Sequence, residues 1–275
     1  MKPIIHAQCL RHVYPDATEI ALCGLDFVVE PAERIAILGP SGCGKSTLLR
    51  HILGLLIPSE GKVRVFDVDP AKEFFKIRER IGFVMQDVDE QLTQPTVYDE
   101  IAFAPRNFGH AEPEVRTLVE SIMKRTGITN LQEKAPHFLS GGQKRKVALA
   151  SALVLEPELI ILDEPFQGLD PHSRDEYIAL FSELTRDRKI ATVMTLHEVD
   201  LVPLLADAVY LLKEGGHISK RGTPREIFTR FTQLKEYQLE PPILCTIFRE
   251  LKKVFPNIEI PLTPEDALIE LKKIK

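Results

Sequence analysis

Two segments of the sequence contain the residue types that bind phosphate groups and metal ions. The first, Gly39-Pro-Ser-Gly-Cys-Gly-Lys-Ser46, fits the pattern G-x-x-x-x-G-K-[ST]. Its glycines let the backbone curl so that successive N–H groups face a phosphate, Lys45 adds a positive charge, and the Ser46 hydroxyl can ligate Mg²⁺. The preceding apolar run, Arg34 to Leu38, predicts a strand, and a helix is expected from Lys45 to about Leu53. The segment is therefore predicted to bind a nucleotide at a strand-to-helix turn.

The second segment, Leu159 to Glu164, is an apolar run that ends in two carboxylates. The carboxyl end of a parallel strand lies at the ligand crevice of an α/β sheet. Asp163 is therefore expected to reach the Mg²⁺ shell, and Glu164 to orient an attacking water. An acidic residue directly after Asp163 favours hydrolysis over transfer to a second substrate.

A third pattern, Leu139-Ser-Gly-Gly-Gln143, stands between these two segments. Ser140 and Gln143 have the spacing of a capping box at the start of a helix. The serine and the two glycines also make a second anion-binding surface. The nucleotide on the first loop cannot use that surface unless another subunit supplies it.

Composition limits the classes of protein that fit. The 275 residues carry 35 Lys and Arg against 40 Asp and Glu, a net charge of -5, so no nucleic-acid partner is expected. No apolar run approaches the roughly 18 residues that span a bilayer. The four cysteines lack a metal-type spacing, and reduced thiols are expected. For Cys43, a small residue tolerated in the loop is the preferred interpretation, and the alternative is a thiolate stabilised by the helix N-terminus and Lys45 that is sensitive to oxidation.

The order of apolar runs predicts an α/β fold. Strands are expected at Ile4 to Leu10, Leu25 to Glu30, Arg34 to Leu38, Lys62 to Phe66, Ile81 to Val84, Leu159 to Leu162, Ile190 to Thr195 and Ala208 to Leu212. The last three are uniformly apolar, as in a buried parallel sheet. Helical periodicity replaces strands between Gln86 and Leu155, with one helix between Pro113 and Gly127. A small appendage is expected from about Phe231.

These three motifs, in this order, resemble the ATPases of ABC transporters. The resemblance implies a P-loop NTPase fold with a RecA-like core, N-terminal antiparallel β strands and a helical subdomain at about residues 87–155. It places the ATPase domain at residues 1–230 and a dimerisation or interface segment at residues 231–275. ATP and Mg²⁺ are the implied cofactors.

The resemblance also assigns site residues by their positions in the motifs. Tyr14 matches the aromatic residue that stacks on adenine, Gln86 the glutamine that senses Mg²⁺ and water, and His197 the histidine that contacts the γ-phosphate. Lys45, Gln86, Glu164 and His197 are the implied catalytic residues, and Ser46, Gln86 and Asp163 the metal ligands. The implied nucleotide-binding residues are Tyr14, Gly39, Pro40, Ser41, Gly42, Cys43, Gly44, Lys45, Ser46, Thr47, Ser140, Gly141, Gly142, Gln143 and Asp170.

The segment from Gln86 to Gly109 is similar to the corresponding loop of energy-coupling factor ATPases, which serve cobalt, nickel and vitamin importers. This similarity implies three partners: a second ABC ATPase, identical or paralogous, an integral membrane coupling subunit and a membrane subunit that binds the substrate. It places the protein peripherally at the cytoplasmic face of the cell membrane. One departure is Phe166-Gln167, where many relatives carry smaller residues.

A soluble ABC ATPase that acts as a nucleotide switch on nucleic acid or the ribosome is the alternative. Chromosome and repair members of the family insert long coiled coils before the serine-glycine motif, whereas Lys45 and Ser140 are only 95 positions apart without a heptad run. Translation factors carry two ATPase units in one chain, and this chain has one. The transporter interpretation is therefore preferred.

Overall fold

The structure is a computed structural model that describes residues 2–186, 189–228 and 234–274. The expected domain boundary at Phe231 lies outside the described residues. The strands are β1 Ile5–Val13, β2 Glu19–Leu22, β3 Phe27–Val29, β4 Arg34–Leu38, β5 Glu60–Val65, β6 Ile81–Val84, β7 Leu159–Asp163, β8 Ala191–Thr195, β9 Ala208–Leu212 and β10 Ile218–Gly222. The helices are α1 Lys45–Ile52, α2 Pro70–Glu73, α3 Val88–Gln91, α4 Val97–Phe108, α5 Glu112–Arg125, α6 Gly141–Leu153, α7 Pro171–Arg186, α8 Val202–Leu205, α9 Pro224–Phe228, α10 Ile243–Val254 and α11 Pro264–Leu271.

A six-stranded sheet with the order β10-β9-β4-β8-β7-β6 forms the centre of the molecule. Five of its strands are parallel, and only β10 pairs antiparallel, with β9. Every residue of β7, β8 and β9 is buried. The expected buried parallel sheet is thus confirmed, because strands covered on both faces need apolar side chains throughout.

The two faces of this sheet border two separate hydrophobic cores. Successive side chains of a strand point to opposite faces. On β4, Ala36 and Leu38 therefore belong to the core shared with α4 to α7, whereas Ile35 and Ile37 belong to the core shared with α1 and the N-terminal strands. One short strand thus holds both halves of the molecule together.

The N-terminal strands form a second, antiparallel sheet around β1, as the resemblance implied. β1 pairs with β2 and β3 on one side and with β5 on the other. Neither β2 nor β10 is predicted from the sequence. β2 has four residues, which is too short for an alternating pattern to be visible.

The chain between β6 and β7 forms four α-helices, α3 to α6, two short 3-10 helices and no strand. α5 buries Val115, Val119, Ile122 and Met123, the spacing that the sequence predicted. Its charged face is exposed, as in an amphipathic surface helix. Within the described ranges, none of the helices is long and apolar enough to cross a membrane.

The C-terminal residues pack in part against the core that covers one face of the central sheet. Leu234, Tyr237, Leu239, Cys245 and Leu262 are buried in the same core as α4 to α7. Phe248, Ile258 and Ala267 form a small cluster of their own between α10 and α11. The segment is therefore a helical extension of the main fold rather than a free tail.

The cysteines differ from the expectation. Cys9 and Cys23 form a disulfide, so the prediction of four reduced thiols is wrong for this pair. The reason is the register of β1 and β2: Leu10 lies opposite Leu22, which places the two cysteines opposite each other just beyond that pair. Cys43 and Cys245 are free and fully buried.

The burial of Cys43 argues against the alternative of a stabilised thiolate and agrees with the preferred interpretation of a small residue tolerated in the loop. Burial raises the pKa of the Cys43 thiol above its ordinary value and outweighs the opposing effect of the Lys45 charge. Burial, followed by the charge of Asp200, raises the pKa of Cys245 to about 11. A buried thiol with a raised pKa is unreactive, because the thiolate is the nucleophile.

This arrangement predicts the number of thiols that react with Ellman's reagent. In the native protein at neutral pH, none should react within minutes, since two are bonded and two are buried. In guanidinium chloride without a reductant, about two thiols per chain should react, and about four after reduction. Four reactive thiols in the unreduced, unfolded protein would contradict the disulfide.

Candidate nucleotide and hydrolysis site

The phosphate loop lies between β4 and α1, as the sequence predicted. Gly44 is the residue before the first turn of α1 and has a φ of 96°. A Cβ atom placed on Gly44 would lie 2.6 Å from the Cγ2 atom of Ile20, on β2. Only glycine combines this backbone conformation with such a close approach. The loop is thus shaped by its own glycines and by the N-terminal sheet beside it.

Lys45 is buried under this loop. Its Nζ atom donates hydrogen bonds to the carbonyl oxygens of Gly39 at 2.9 Å and Pro40 at 3.1 Å. These bonds hold the ammonium group at the start of α1, where the partial positive charge of the helix N-terminus also lies. Two sources of positive potential therefore coincide at the loop.

A cavity of about 410 Å³ opens in front of the phosphate loop. Its walls are formed by Tyr14, Thr18, Ile20, Ser41, Gly42, Gly44, Lys45, Ser46, Thr47, Arg50, Gln86, Glu164 and His197. The structure thus brings the predicted adenine-binding, phosphate-binding and hydrolytic side chains into one space. Gly39, Pro40, Cys43, Asp163, Asp170 and residues 140–143 are not part of its walls.

Asp163 and Thr195 end two neighbouring strands. They are partners in the parallel register of β7 and β8, and Thr195 Oγ1 donates a 2.6 Å hydrogen bond to Asp163 Oδ1. The same hydroxyl accepts a hydrogen bond of 2.9 Å from the backbone N–H of Glu164. Thr195 thereby fixes the aspartate and the start of the following turn together.

Glu164 turns out of β7 with a φ of 47°, a left-handed conformation that is uncommon for residues with a side chain. Its carboxylate receives two hydrogen bonds from other loops. His197 Nε2 lies 2.7 Å from Oε1, and Gln86 Nε2 lies 3.2 Å from Oε2. Side chains that follow β6 and β8 thus both contact the carboxylate that follows β7.

Tyr14 lies at the other end of the cavity. Its hydroxyl is 2.9 Å from Thr47 Oγ1 on α1, and its ring makes an edge contact with His12 at a centroid distance of 4.5 Å. The ring is partly buried and so keeps an accessible surface. A ring held at two points in this way is suited to stacking against a planar base.

The serine-glycine motif begins α6 with the predicted capping box. The Ser140 N–H donates to Gln143 Oε1 at 3.1 Å, and the Gln143 N–H donates to Ser140 Oγ at 3.4 Å. Asp170 caps α7 in a similar way, because its Oδ1 accepts the N–H of Ser173 at 3.0 Å. These hydrogen bonds account for the local structure of both motifs.

Several residues of this site are not predicted from the sequence: Thr195 and Gln167, and the wall residues Thr18, Ile20 and Arg50. Thr195 follows an apolar run two positions before His197, and its place at the end of a parallel strand could have indicated it. Gln167 is noted only as a departure, yet its Oε1 accepts a 3.0 Å hydrogen bond from Gln86 Nε2. Nothing in the residue pattern indicates that contact.

The ABC transporter family profile matches residues 22–167. Similar proteins include two named energy-coupling factor transporter ATP-binding protein EcfA. The one from Methanothermobacter thermautotrophicus is 38% identical over 98% of this chain and 86% of its own length. The one from Methanococcus maripaludis is 41% identical over 91% of this chain and 90% of its own length.

Solved structures of ABC transporter proteins also resemble this chain. One of them is the structure of cbiO1 from Clostridium perfringens, which is described as part of the ABC transporter complex cbiONQ. It superposes on this chain with a TM-score of 0.76 at 34% sequence identity, and the match covers 98% of this chain and 100% of that chain. This likeness confirms the expected ABC ATPase fold with its P-loop NTPase core. The chain therefore belongs to the ABC transporter ATP-binding proteins and is an ATPase.

Proposed function

We propose that the chain is the ATP-binding subunit of an importer of the energy-coupling factor type. In this proposal it hydrolyses ATP at a head-to-tail dimer interface and so drives uptake of a metal ion, cobalt or nickel, or a vitamin through membrane partners. The observation that carries the hydrolytic part is the meeting of Gln86, Glu164 and His197 in the cavity in front of the phosphate loop. The names of the EcfA relatives and of the cbiO1 structure support the transporter part.

The residues present fit a nucleoside triphosphate with Mg²⁺. Gly42 lines the cavity and a Cβ there would meet nothing within 4 Å, whereas Gly39 and Gly44 let the loop backbone pack closely against Leu212 and Ile20. Ser46, Gln86 and Asp163 carry oxygen atoms, the ligands that Mg²⁺ takes. Bound there, Mg²⁺ neutralises charge on the phosphates.

Glu164 is assigned as the group that orients the attacking water and takes its proton. The water oxygen attacks the γ-phosphorus, the bond from that phosphorus to the ADP oxygen breaks, and the water proton passes to the Glu164 carboxylate. His197 donates to this carboxylate in the structure and can keep it oriented. Lys45 holds the β- and γ-phosphates at the start of α1.

The dimer is supported by the position of the serine-glycine motif. Residues 140–143 are not part of the cavity walls that Lys45 and Glu164 form. A second ATPase subunit, identical or paralogous, would supply its own residues 140–143 and Asp170 to this nucleotide. In the C-terminal segment, Ile247, Leu268 and Ile269 are about half exposed, which suits an interface segment.

A groove between β6 and α4 is the proposed contact with the membrane subunit. It encloses about 280 Å³ and is lined by the aromatic side chains of Phe83, Phe103 and Phe108 together with charged residues, Arg78, Glu79 and Glu100. Gln91 and Thr93 of the loop after Gln86 border the same groove. The loop is held firmly, because the Glu100 carboxylate accepts the N–H groups of Thr93 and Gln94, both at 2.8 Å. Gln91 connects this groove to the end of β6, since its side chain accepts the Met85 N–H at 2.8 Å, so movement of a partner here would reach the residue next to Gln86.

Replacement Glu164→Gln should abolish turnover while leaving ATP binding intact. The amide cannot take the proton of water, and loss of such a base lowers kcat by about 100-fold or more. Bound ATP that is not cleaved should also hold two subunits together, so size-exclusion chromatography with Mg²⁺ and ATP should show a larger dimer fraction. Turnover by phosphate release and binding of a fluorescent ATP analogue are measured side by side.

Glu183→Gln is the matched control for this variant, since Glu183 is exposed on α7 away from the cavity. It should keep kcat within about twofold of the unchanged chain. Unchanged turnover in Glu164→Gln would show that another group takes the proton.

Charge placed in the groove should release the membrane partner. Phe103 is 48% exposed and lines the groove, and Glu90 is exposed on the neighbouring α3. The variants Phe103→Glu and Glu90→Lys should each lower the recovery of membrane subunits several-fold in a detergent pull-down. Recovery is measured by quantitative mass spectrometry. Basal ATPase activity of the purified chain should stay within about twofold.

The control for the groove is Ile57→Glu. Ile57 is 72% exposed but lines a different depression, beside β5 and α2. Recovery with this variant should equal that of the unchanged chain. Equal recovery with Phe103→Glu and Glu90→Lys as well would disprove the docking site, and a pull-down without membrane subunits would favour a soluble ATPase.

A further inference from the structure

Gln86 uses both hydrogens of its side-chain amide in the structure. Its Nε2 atom donates to Glu164 Oε2 at 3.2 Å and to Gln167 Oε1 at 3.0 Å. A primary amide carries two N–H donors and one acceptor oxygen, so these two contacts occupy both donors. Among the residues that the structure describes, none donates a hydrogen bond to the Gln86 oxygen. That oxygen is the atom left for a ligand in the cavity.

The two acceptors of the Gln86 amide, Glu164 and Gln167, have different roles during hydrolysis. Glu164 also has to accept a hydrogen bond from the attacking water, which competes with the Gln86 amide for the same carboxylate. Gln167 is not among the residues that form the cavity walls, and it can keep its contact throughout. Without Gln167, the orientation of the Gln86 amide would depend on its contact with Glu164 alone.

The backbone of Gln167 is fixed from two sides. Its N–H donates to the Glu164 carbonyl oxygen at 3.3 Å, and its own carbonyl oxygen accepts a 2.6 Å hydrogen bond from Arg145 Nη2. Arg145 is buried on α6, the helix that begins with the serine-glycine motif. A hydrogen bond from a buried guanidinium is among the stronger ones. The Gln167 side chain thus extends from a fixed point.

We propose that Gln167 is a positioning residue that holds the Gln86 amide with its oxygen towards the cavity and connects Gln86 to α6 through Arg145. The inference rests on the role proposed above for Gln86. Because α6 begins with residues 140–143, a nucleotide bound to this motif in the dimer acts on the helix that anchors Gln167.

A double-mutant cycle tests the inference. Steady-state ATPase activity is measured for the unchanged chain, Gln86→Ala, Gln167→Ala and the double variant. Gln167→Ala should lower kcat about three- to tenfold, the effect of one lost hydrogen bond, with the KM for ATP within about twofold. The double variant should be no slower than Gln86→Ala, because Gln167 acts through Gln86 alone.

A second measurement does not depend on turnover. The thermal shift caused by a non-hydrolysable ATP analogue is recorded while Mg²⁺ is titrated. Gln86→Ala and Gln167→Ala should raise the Mg²⁺ concentration at half-effect by a similar factor, and the double variant should add nothing further. If Gln86→Ala turns over ATP too slowly to measure, the Mg²⁺ titration of the three variants tests whether Gln167 acts through Gln86. Gln132→Ala, an exposed glutamine outside the cavity, is the matched control and should change neither measurement.

The outcomes separate the two proposals. If Gln86→Ala behaves as the unchanged chain in both measurements, the role of Gln86 and the role of Gln167 both fall. If Gln86→Ala is impaired but Gln167→Ala is not, or if the two effects multiply in the double variant, only the inference on Gln167 is overturned. A multiplied effect would mean that Gln167 acts on the fold of its own loop.

Discussion

The pairing of β8 with both β4 and β7 is the constraint on which the site depends. Thr195 at the end of β8 is in register with Ile37 on one side and with Asp163 on the other. Because all three strands run parallel, their carboxyl ends reach the same edge of the sheet. The loops that carry Lys45, Glu164 and His197 therefore leave that edge together. The backbone hydrogen bonds of the β4–β8 and β7–β8 pairs thus bring together site residues that are more than 100 positions apart in the sequence.

The parts of the fold that the sequence predicted are those with strong local patterns. β4, β7, β8 and β9 are uninterrupted apolar runs, and α5 repeats its buried residues at helical spacing. The motif glycines and carboxylates could be placed because each follows such a run. The meeting of Gln86, Glu164 and His197 then follows from the parallel order of the strands.

The features that the sequence did not predict depend on contacts between distant segments. β2 is only four residues long, so the β1–β2 register and the disulfide that depends on it have no local pattern. The burial that decides between the two interpretations of Cys43 lies between α1 and the N-terminal sheet and opposes the effect of the neighbouring Lys45. The contact of Gln167 with Gln86 needs the turn after Glu164 to bring them together. Each is set by tertiary packing that residue types alone do not encode.

The bond between Cys9 and Cys23 closes a covalent ring, since the two residues are 14 positions apart. This ring contains Tyr14, which reaches Thr47, and Ile20, which packs on Gly44. In the chain-entropy account, closing a ring of about this size removes conformational freedom of the unfolded chain worth about 3 kcal/mol at 25 °C. Once the disulfide has formed, part of the entropic cost of ordering the Tyr14 side of the cavity is therefore removed from the unfolded state.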